Sequence, residues 1–270
     1  MSGLWCACGT GDRLEGMNIT GHTIFIPGAT SGIGLALALA LHHEGNRIIV
    51  GGRRTELLER VAAEHPGIAT VRLDTADPDS IDTASRIVLA EHPDLDVLIT
   101  MAGIMRAEDW TDPAGFLSTA ETTVTTNLLG PIRLIAAFVE HMLAQESATI
   151  MTVSSGLAFV PLRATPTYNA TKAAIHLLSE SLRLQLAGTG VEVLELVPPA
   201  VRTDLMPGQA TSAAAMPLAE FVDEVMEILE NRPEAAEIQV QQVGFLRHAE
   251  ARGDYPQVVA ALNGSDLPSL

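Results

Sequence analysis

The chain has 270 residues, 47% of them apolar, enough for a substantial core, and its 33 acidic against 16 basic side chains give a formal net charge of −17. That charge repels phosphate backbones and anionic bilayers, which excludes nucleic acid and membrane as expected partners. Apolar runs are strand-length or interrupted by polar residues, short of the roughly 18–20 residues a spanning helix needs, so a soluble protein is expected.

Residues 1–18 lack the basic start and continuous apolar stretch of an export signal and read as an N-terminal extension, expected to be poorly ordered, with Met17 as a second candidate start. Both cysteines, Cys6 and Cys8, fall in it, which denies the body of the chain an internal disulfide and fits a reducing cytoplasm. No Cys/His cluster completes a metal site with them, and His176 and the other histidines lack a spacing such as H-E-x-x-H. No metal is expected.

A short apolar segment, His22 to Pro27, leads into Gly28-Ala29-Thr30-Ser31-Gly32-Ile33-Gly34 and then an alanine/leucine-rich stretch to about Glu44. This reads as strand, glycine loop and helix: glycines permit close approach of a pyrophosphate, and the helix start offers unpaired N–H groups. A second strand, Asn46 to Val50, ends in Gly51-Gly52-Arg53-Arg54, where a dinucleotide fold meets the adenosine ribose. No acid stands there to bind a 2′-hydroxyl. Arg53 reads as the clamp for a 2′-phosphate, with Arg54 either its helper or a solvated helix-start residue, which favours NADP(H) while leaving NAD(H) open.

The alternation continues with a helix from Thr55 to His65, a strand from Ile68 to Leu73, a helix from Pro78 to Glu91 and a strand from Leu95 to Thr100. Strands separated by helices of this length predict right-handed crossovers and a parallel sheet covered on both faces. Asp74 is either a turn-capping residue or an adenine contact, and Ala102-Gly103 is a small-residue turn that lets a cofactor lie against the backbone. A helical stretch from Thr119 to Leu143 contains Asn127 and Gly130-Pro131, which predicts a kink, with either a freed carbonyl able to hold a water or simply a locally strained helix.

Ala148 to Val153 is a fifth strand, ending at Ser154-Ser155-Gly156, and a helix from Thr165 to Ala187 carries Tyr168 and Lys172 one turn apart. An ammonium beside a phenol is expected to lower the phenol's pKa and make it a general acid/base, with Ser155 orienting a substrate oxygen. Thr152-Val153-Ser154-Ser155-Gly156 lacks the Gly-x-Ser-x-Gly elbow of serine hydrolases. A sixth strand from Val191 to Val197 leaves the sheet through Pro198-Pro199, and residues 204–216 have the composition of a mobile loop over a site. A helix from Pro217 to Glu230, a last short strand from Glu237 to Gln241 and an irregular tail over 246–270 complete the reading. Phe159, Val160, Leu162 and Met206 are expected to line an apolar pocket.

Over roughly Thr20 to Gln241, with these features in order, the sequence resembles the short-chain dehydrogenase/reductase family, and within it the branch of oxidoreductases of D-alanylation (Dlt) operons. The resemblance implies a single-domain, Rossmann-like, doubly wound α/β fold of about seven parallel strands over residues 19–245, and a carbonyl–alcohol oxidoreductase that works as a homodimer or homotetramer. It implies Asn127, Ser155, Tyr168 and Lys172 as the catalytic set. The implied cofactor contacts are Gly28, Thr30, Ser31, Gly32, Ile33, Gly34, Arg53, Arg54, Asp74, Thr75, Ala102, Gly103, Tyr168, Lys172, Val201 and Thr203. In this scheme Asn127 anchors a water in a proton relay and Lys172 holds the nicotinamide ribose. The sequence departs from the family at Pro27, at Thr100-Met101 in place of Asn-Asn, and at Pro199 in place of glycine. A regulator or scaffold that keeps the fold without turnover is the alternative function.

Overall fold

The computed structural model describes residues 19–112 and 114–264, so the extension over 1–18 lies outside the described residues. Short apolar runs bounded by turn residues form the strands β1 (Thr23–Pro27), β2 (Arg47–Gly52), β3 (Ala69–Arg72), β4 (Val97–Thr100), β5 (Ala148–Val153), β6 (Val191–Leu196) and the two-residue β7 (Glu237–Ile238). They make one sheet of order β3-β2-β1-β4-β5-β6-β7, parallel at every pairing. Strand order reverses between β1 and β4, and in open α/β sheets ligands bind in the crevice at such a switch point, beyond the carboxyl ends of the strands.

Side chains alternate across each strand and supply two cores, one per face of the sheet. Ile24 and Ile26 of β1 pack with Leu37 and Leu41 of α1 (Gly32–His43) and with Phe221 and Val225 of α7 (Leu218–Asn231). Phe25, between them, faces the other way, its ring 5.4 Å from that of Phe138 on α5 (Gly130–Ala144). That second core also takes Ile81 and Val88 of α3 (Pro78–Glu91). Helix α2 (Thr55–Glu64) adds Leu58 and Val61 to the first core.

The long helical stretch is α4 (Leu117–Val124), a π-helical turn over Thr125–Leu129, then α5. The expected irregularity is therefore present, one turn before Pro131. Against the expectation that no run would be long enough, Leu117–Ala144 is long and apolar enough by length and composition to cross a bilayer, but 44% of its most apolar 18-residue window is buried inside the fold. Leu134, Phe138 and Met142 press it onto the sheet as a core helix.

The segment read as an irregular tail from 246 is helical as far as Asn263: α8 (Gly244–Arg247), α9 (Ala249–Arg252) and α10 (Tyr255–Asn263). These helices form a satellite core in which Val160 packs against Ala249, Val258 and Val259. Asn263 clamps the same segment, donating to the Pro161 carbonyl at 3.0 Å and accepting from the Arg163 amide at 2.6 Å. The helices thus brace the stretch between Ser155 and α6 (Pro166–Leu186).

Candidate active site

The crevice is a cavity of about 810 Å³ that runs from Arg53, Arg54 and Arg60 past the glycine loop to Ser155, Tyr168 and Lys172. Its middle is shaped by the lack of side chains. Gly28 has a φ of +93°, and a Cβ there would lie 2.5 Å from the Ala102 Cα; a Cβ on Gly34 would lie 2.8 Å from the Gly28 carbonyl oxygen. Only glycine fits both the turn and the approach of β1's loop to the end of β4. Ser31, at the N-cap of α1, makes no side-chain cap, so the first-turn N–H groups of Gly32, Ile33 and Gly34 are left for a ligand where those residues line the cavity.

At one end, Arg54 reaches across the loop and donates to Thr30 Oγ1 and Ser31 Oγ, each at 3.2 Å. Arg54 thus touches the glycine loop while remaining exposed, as Arg53 is beside it. Arg60 joins them from α2. Sequence reasoning missed Arg60, although its place two helical turns after Arg53 was the available signal. Asp74 lines the cavity, but its carboxylate caps a turn by accepting from the Ala76 amide at 3.0 Å. Thr75, Ala102, Gly103, Val201 and Thr203 all line the wall.

At the other end Tyr168 and Lys172, one turn apart on α6, are both buried and line the cavity together with Ser155. Ser155 also accepts from the Leu157 amide at 3.1 Å. The Lys172 ammonium lies 5.5 Å from the Tyr168 ring centre and donates to the Val153 carbonyl at 2.7 Å. The expectation that lysine lowers the phenol's pKa is reversed. Burial pushes Tyr168 up to about 12, against a lesser downward pull from Ser155. Burial also pushes Lys172 down to about 8, against the opposing charge of Glu195. Desolvation disfavours the charged form of both groups.

Asn127 stands one step back from the cavity. Its Oδ1 accepts from the Ile104 amide and its Nδ2 donates to the Ile104 carbonyl, both at 2.8 Å, fixing the chain just after Gly103. The π-helical turn brings it there.

Of the expected apolar wall, Val160 is fully buried in the satellite core and Phe159 is packed between the His176 ring and the Arg247 guanidinium. Ile104, Met105 and Leu205 line the cavity instead. Residues 204–216 are tied down: Met216 pairs with Val201, Arg202 donates to the Ser212 and Ala215 carbonyls, and Gln209 donates to the Val201 carbonyl. The Pro198 carbonyl accepts from the Gly156 amide, and both Pro198 and Pro199 line the cavity.

Behind Lys172, the fully buried Glu195 accepts from His176 Nδ1 and lies 3.5 Å from Arg183. His176, Glu195 and Glu237 bring potential metal ligands within 4.8 Å of one another. Arg183 beside Glu195 and the paired Arg247–Glu237 bonds of 2.8 and 2.9 Å make this an ion-pair network instead.

Residues 22–213 match the family model for short chain dehydrogenases. The chain is 36% identical over 251 residues to the Bacillus subtilis (strain 168) protein described as the uncharacterized oxidoreductase DltE, covering 92% of this chain and 98% of that one. Among solved structures it is similar to a short chain dehydrogenase from Burkholderia cenocepacia J2315 in complex with NADP, with a TM-score of 0.75 and 25% identity over 93% of this chain and 100% of that chain. A short-chain dehydrogenase from Streptomyces avermitilis gives the same TM-score at 24% identity, over 86% and 94% of the two chains. With a match spanning most of its length and a full-length relative at this identity, the chain belongs to the short-chain dehydrogenase family of oxidoreductases.

Proposed function

We propose that this protein interconverts a carbonyl and an alcohol using NADP(H), with Tyr168 as the general acid/base. The observation that carries the reading is the gathering of Ser155, Tyr168 and Lys172 at one end of a cavity whose other end is lined by Arg53, Arg54 and Arg60. The glycine cradle and the uncapped start of α1 fit a pyrophosphate, and Arg53, Arg54 and Arg60 fit a 2′-phosphate. When bound, the dinucleotide supplies or accepts the hydride.

The chain's own residues manage the proton. Ser155 holds the substrate oxygen against the Tyr168 hydroxyl. With its pKa raised to about 12, Tyr168 keeps its proton through the neutral range and donates it to that oxygen in reduction. Asn127 keeps the Ile104 backbone in place beside Lys172, and the acidic chain with its early cysteines fits a cytoplasmic location. NADPH oxidation against a panel of ketones and aldehydes tests the reading. Tight NADPH binding with no turnover on any of them would replace it with a regulatory or scaffold role.

The arginine end makes a separate expectation. NADPH is expected to bind more tightly than NADH, and Arg53→Asp to narrow or reverse the preference. A charge-assisted contact to phosphate contributes about 1.5–3 kcal/mol. Equal affinities of the unmodified protein for the two cofactors, measured by titration, would count against it.

Leu129, Ile132 and Leu143 on the 117–144 stretch, with Leu177 and Leu184 on α6, are large apolar side chains left exposed on the two helical stretches through which we expect the copies to pair. A two-fold homodimer or a homotetramer is expected. Light scattering at micromolar concentration should give a multiple of 28.6 kDa, and Leu177→Glu with Leu184→Glu should return the monomer. A monomeric unmodified protein would refute it.

A further inference from the structure

We infer that Glu108 is a positioning residue for Tyr168, tying the loop after β4 to the first turn of α6 and so fixing where the phenol stands against Ser155. This rests on the reading of Tyr168 as the acid/base. The loop runs from the end of β4 at Thr100 to the start of α4 at Leu117, and its first part, Ile104 to Arg106, lines the cavity. At Glu108 it is fastened to the segment before α6, the Glu108 amide donating to the Ala164 carbonyl at 2.9 Å.

The side chain makes the closer connection. Glu108 Oε2 accepts from Thr167 Oγ1 at 2.8 Å, from the Thr167 amide at 3.2 Å and from Trp110 Nε1 at 2.8 Å. Thr167 is the second residue of α6 and Tyr168 the third. The helix's own N-cap, Thr165, supplies no side-chain cap; its hydroxyl is turned to Asn169 at 3.2 Å. Glu108 therefore supplies from a distant loop the cap the helix lacks, and a carboxylate suits the positive end of a helix. Because both the amide and the hydroxyl of Thr167 are held, the first turn is fixed in rotation as well as in height.

The second carboxylate oxygen, Oε1, is buried with no hydrogen-bond partner among the described residues. Misplacement of a reacting group by about 1 Å can lower rate by about 10²-fold, which is the scale on which an anchor beside Tyr168 acts.

The test compares Glu108→Ala, Glu108→Gln and Thr167→Val, with Tyr168→Phe as control. Hydrogen exchange of amides 167–172 is followed in the protein without cofactor; NADPH affinity, and kcat and KM with the best carbonyl from the screen, are measured beside it. Glu108→Ala is expected to speed exchange of the first-turn amides about tenfold and to lower kcat about tenfold, with NADPH affinity and KM within about twofold. Glu108→Gln keeps an acceptor oxygen and is expected to restore kcat to within about threefold of the unmodified protein. Thr167→Val should fall between them and add little to Glu108→Ala in the double variant. Unchanged exchange and kcat in Glu108→Ala, alongside an inactive Tyr168→Phe, would overturn the assignment while leaving the function intact. A parallel loss of NADPH affinity, KM and thermal stability that Glu108→Gln fails to rescue would also overturn it, in favour of a purely structural cap. A fully active Tyr168→Phe would instead remove the reading of function on which it rests.

Discussion

Tyr168→Phe is expected to lower turnover by at least 10²-fold while leaving NADPH affinity within about twofold of the unmodified protein. The ring, buried in the wall of the cavity, stays; only the hydroxyl is lost. Without it no proton donor faces the substrate oxygen, because Ser155 has an ordinary alcohol's reluctance to give up its proton and Lys172 points to the Val153 carbonyl. Ser155→Ala should be milder, since it removes the group that orients the oxygen and keeps the one that protonates it. Steady-state rates on the best carbonyl, with NADPH titrated by its fluorescence, check both. A Tyr168→Phe protein retaining more than about a tenth of the rate would show that the proton comes from elsewhere.

Much of this site was legible because its parts are local. The glycine loop, the Arg53-Arg54 pair and the one-turn spacing of Tyr168 and Lys172 each depend on residues near one another in the chain, and the alternation of strands and helices predicted where they meet. Elements bounded by clear turn residues came out to the residue, as for Ala148–Val153 and Pro78–Glu91. What could not be read depends on long-range packing. The last strand is only two residues because β7 meets β6 at the sheet edge through Glu237 and Ile238 alone. Helices α8 to α10 have apolar positions that make sense only once Val160 is seen to be their partner. Glu108 and Thr167 are 59 residues apart, so no spacing links them. The pKa of Tyr168 was misjudged for the same reason: a neighbouring cation is visible in a helical repeat, whereas burial is a property of the whole fold.

Burial of Lys172 leads to an expected result opposite in sign for activity and stability. Lys172→Met should lose turnover and weaken NADPH binding, and at pH 7 it should melt up to several degrees higher than the unmodified protein. The lysine's folded pKa of about 8 lies below its ordinary 10.5 because its charge is desolvated, and Glu195 only partly offsets this. Below pH 8 the folded protein therefore carries a cation that the unfolded chain holds freely in water. The penalty is about 3 kcal/mol, shrinks as pH rises from 8 to 10.5, and is absent above that range. Methionine has a similar length and no charge, so it removes the penalty. It also removes the charged donor to the Val153 carbonyl, which costs about 1.5–3 kcal/mol. The remaining gain of up to about 1.5 kcal/mol corresponds to up to about 3–6 °C in a domain of this size. Tyr168 does not mask the effect: its folded pKa of about 12 exceeds its ordinary 10, so its contribution is constant below pH 10 and is lost only between 10 and 12 in both proteins. Thermal melts of the two proteins at pH 7 and pH 10 decide the matter. The difference should favour the variant at the first pH and be nearly gone or reversed at the second, and a variant that melts lower at pH 7 would mean that the buried ammonium stabilises the fold and is not held there at a cost for its role in the site.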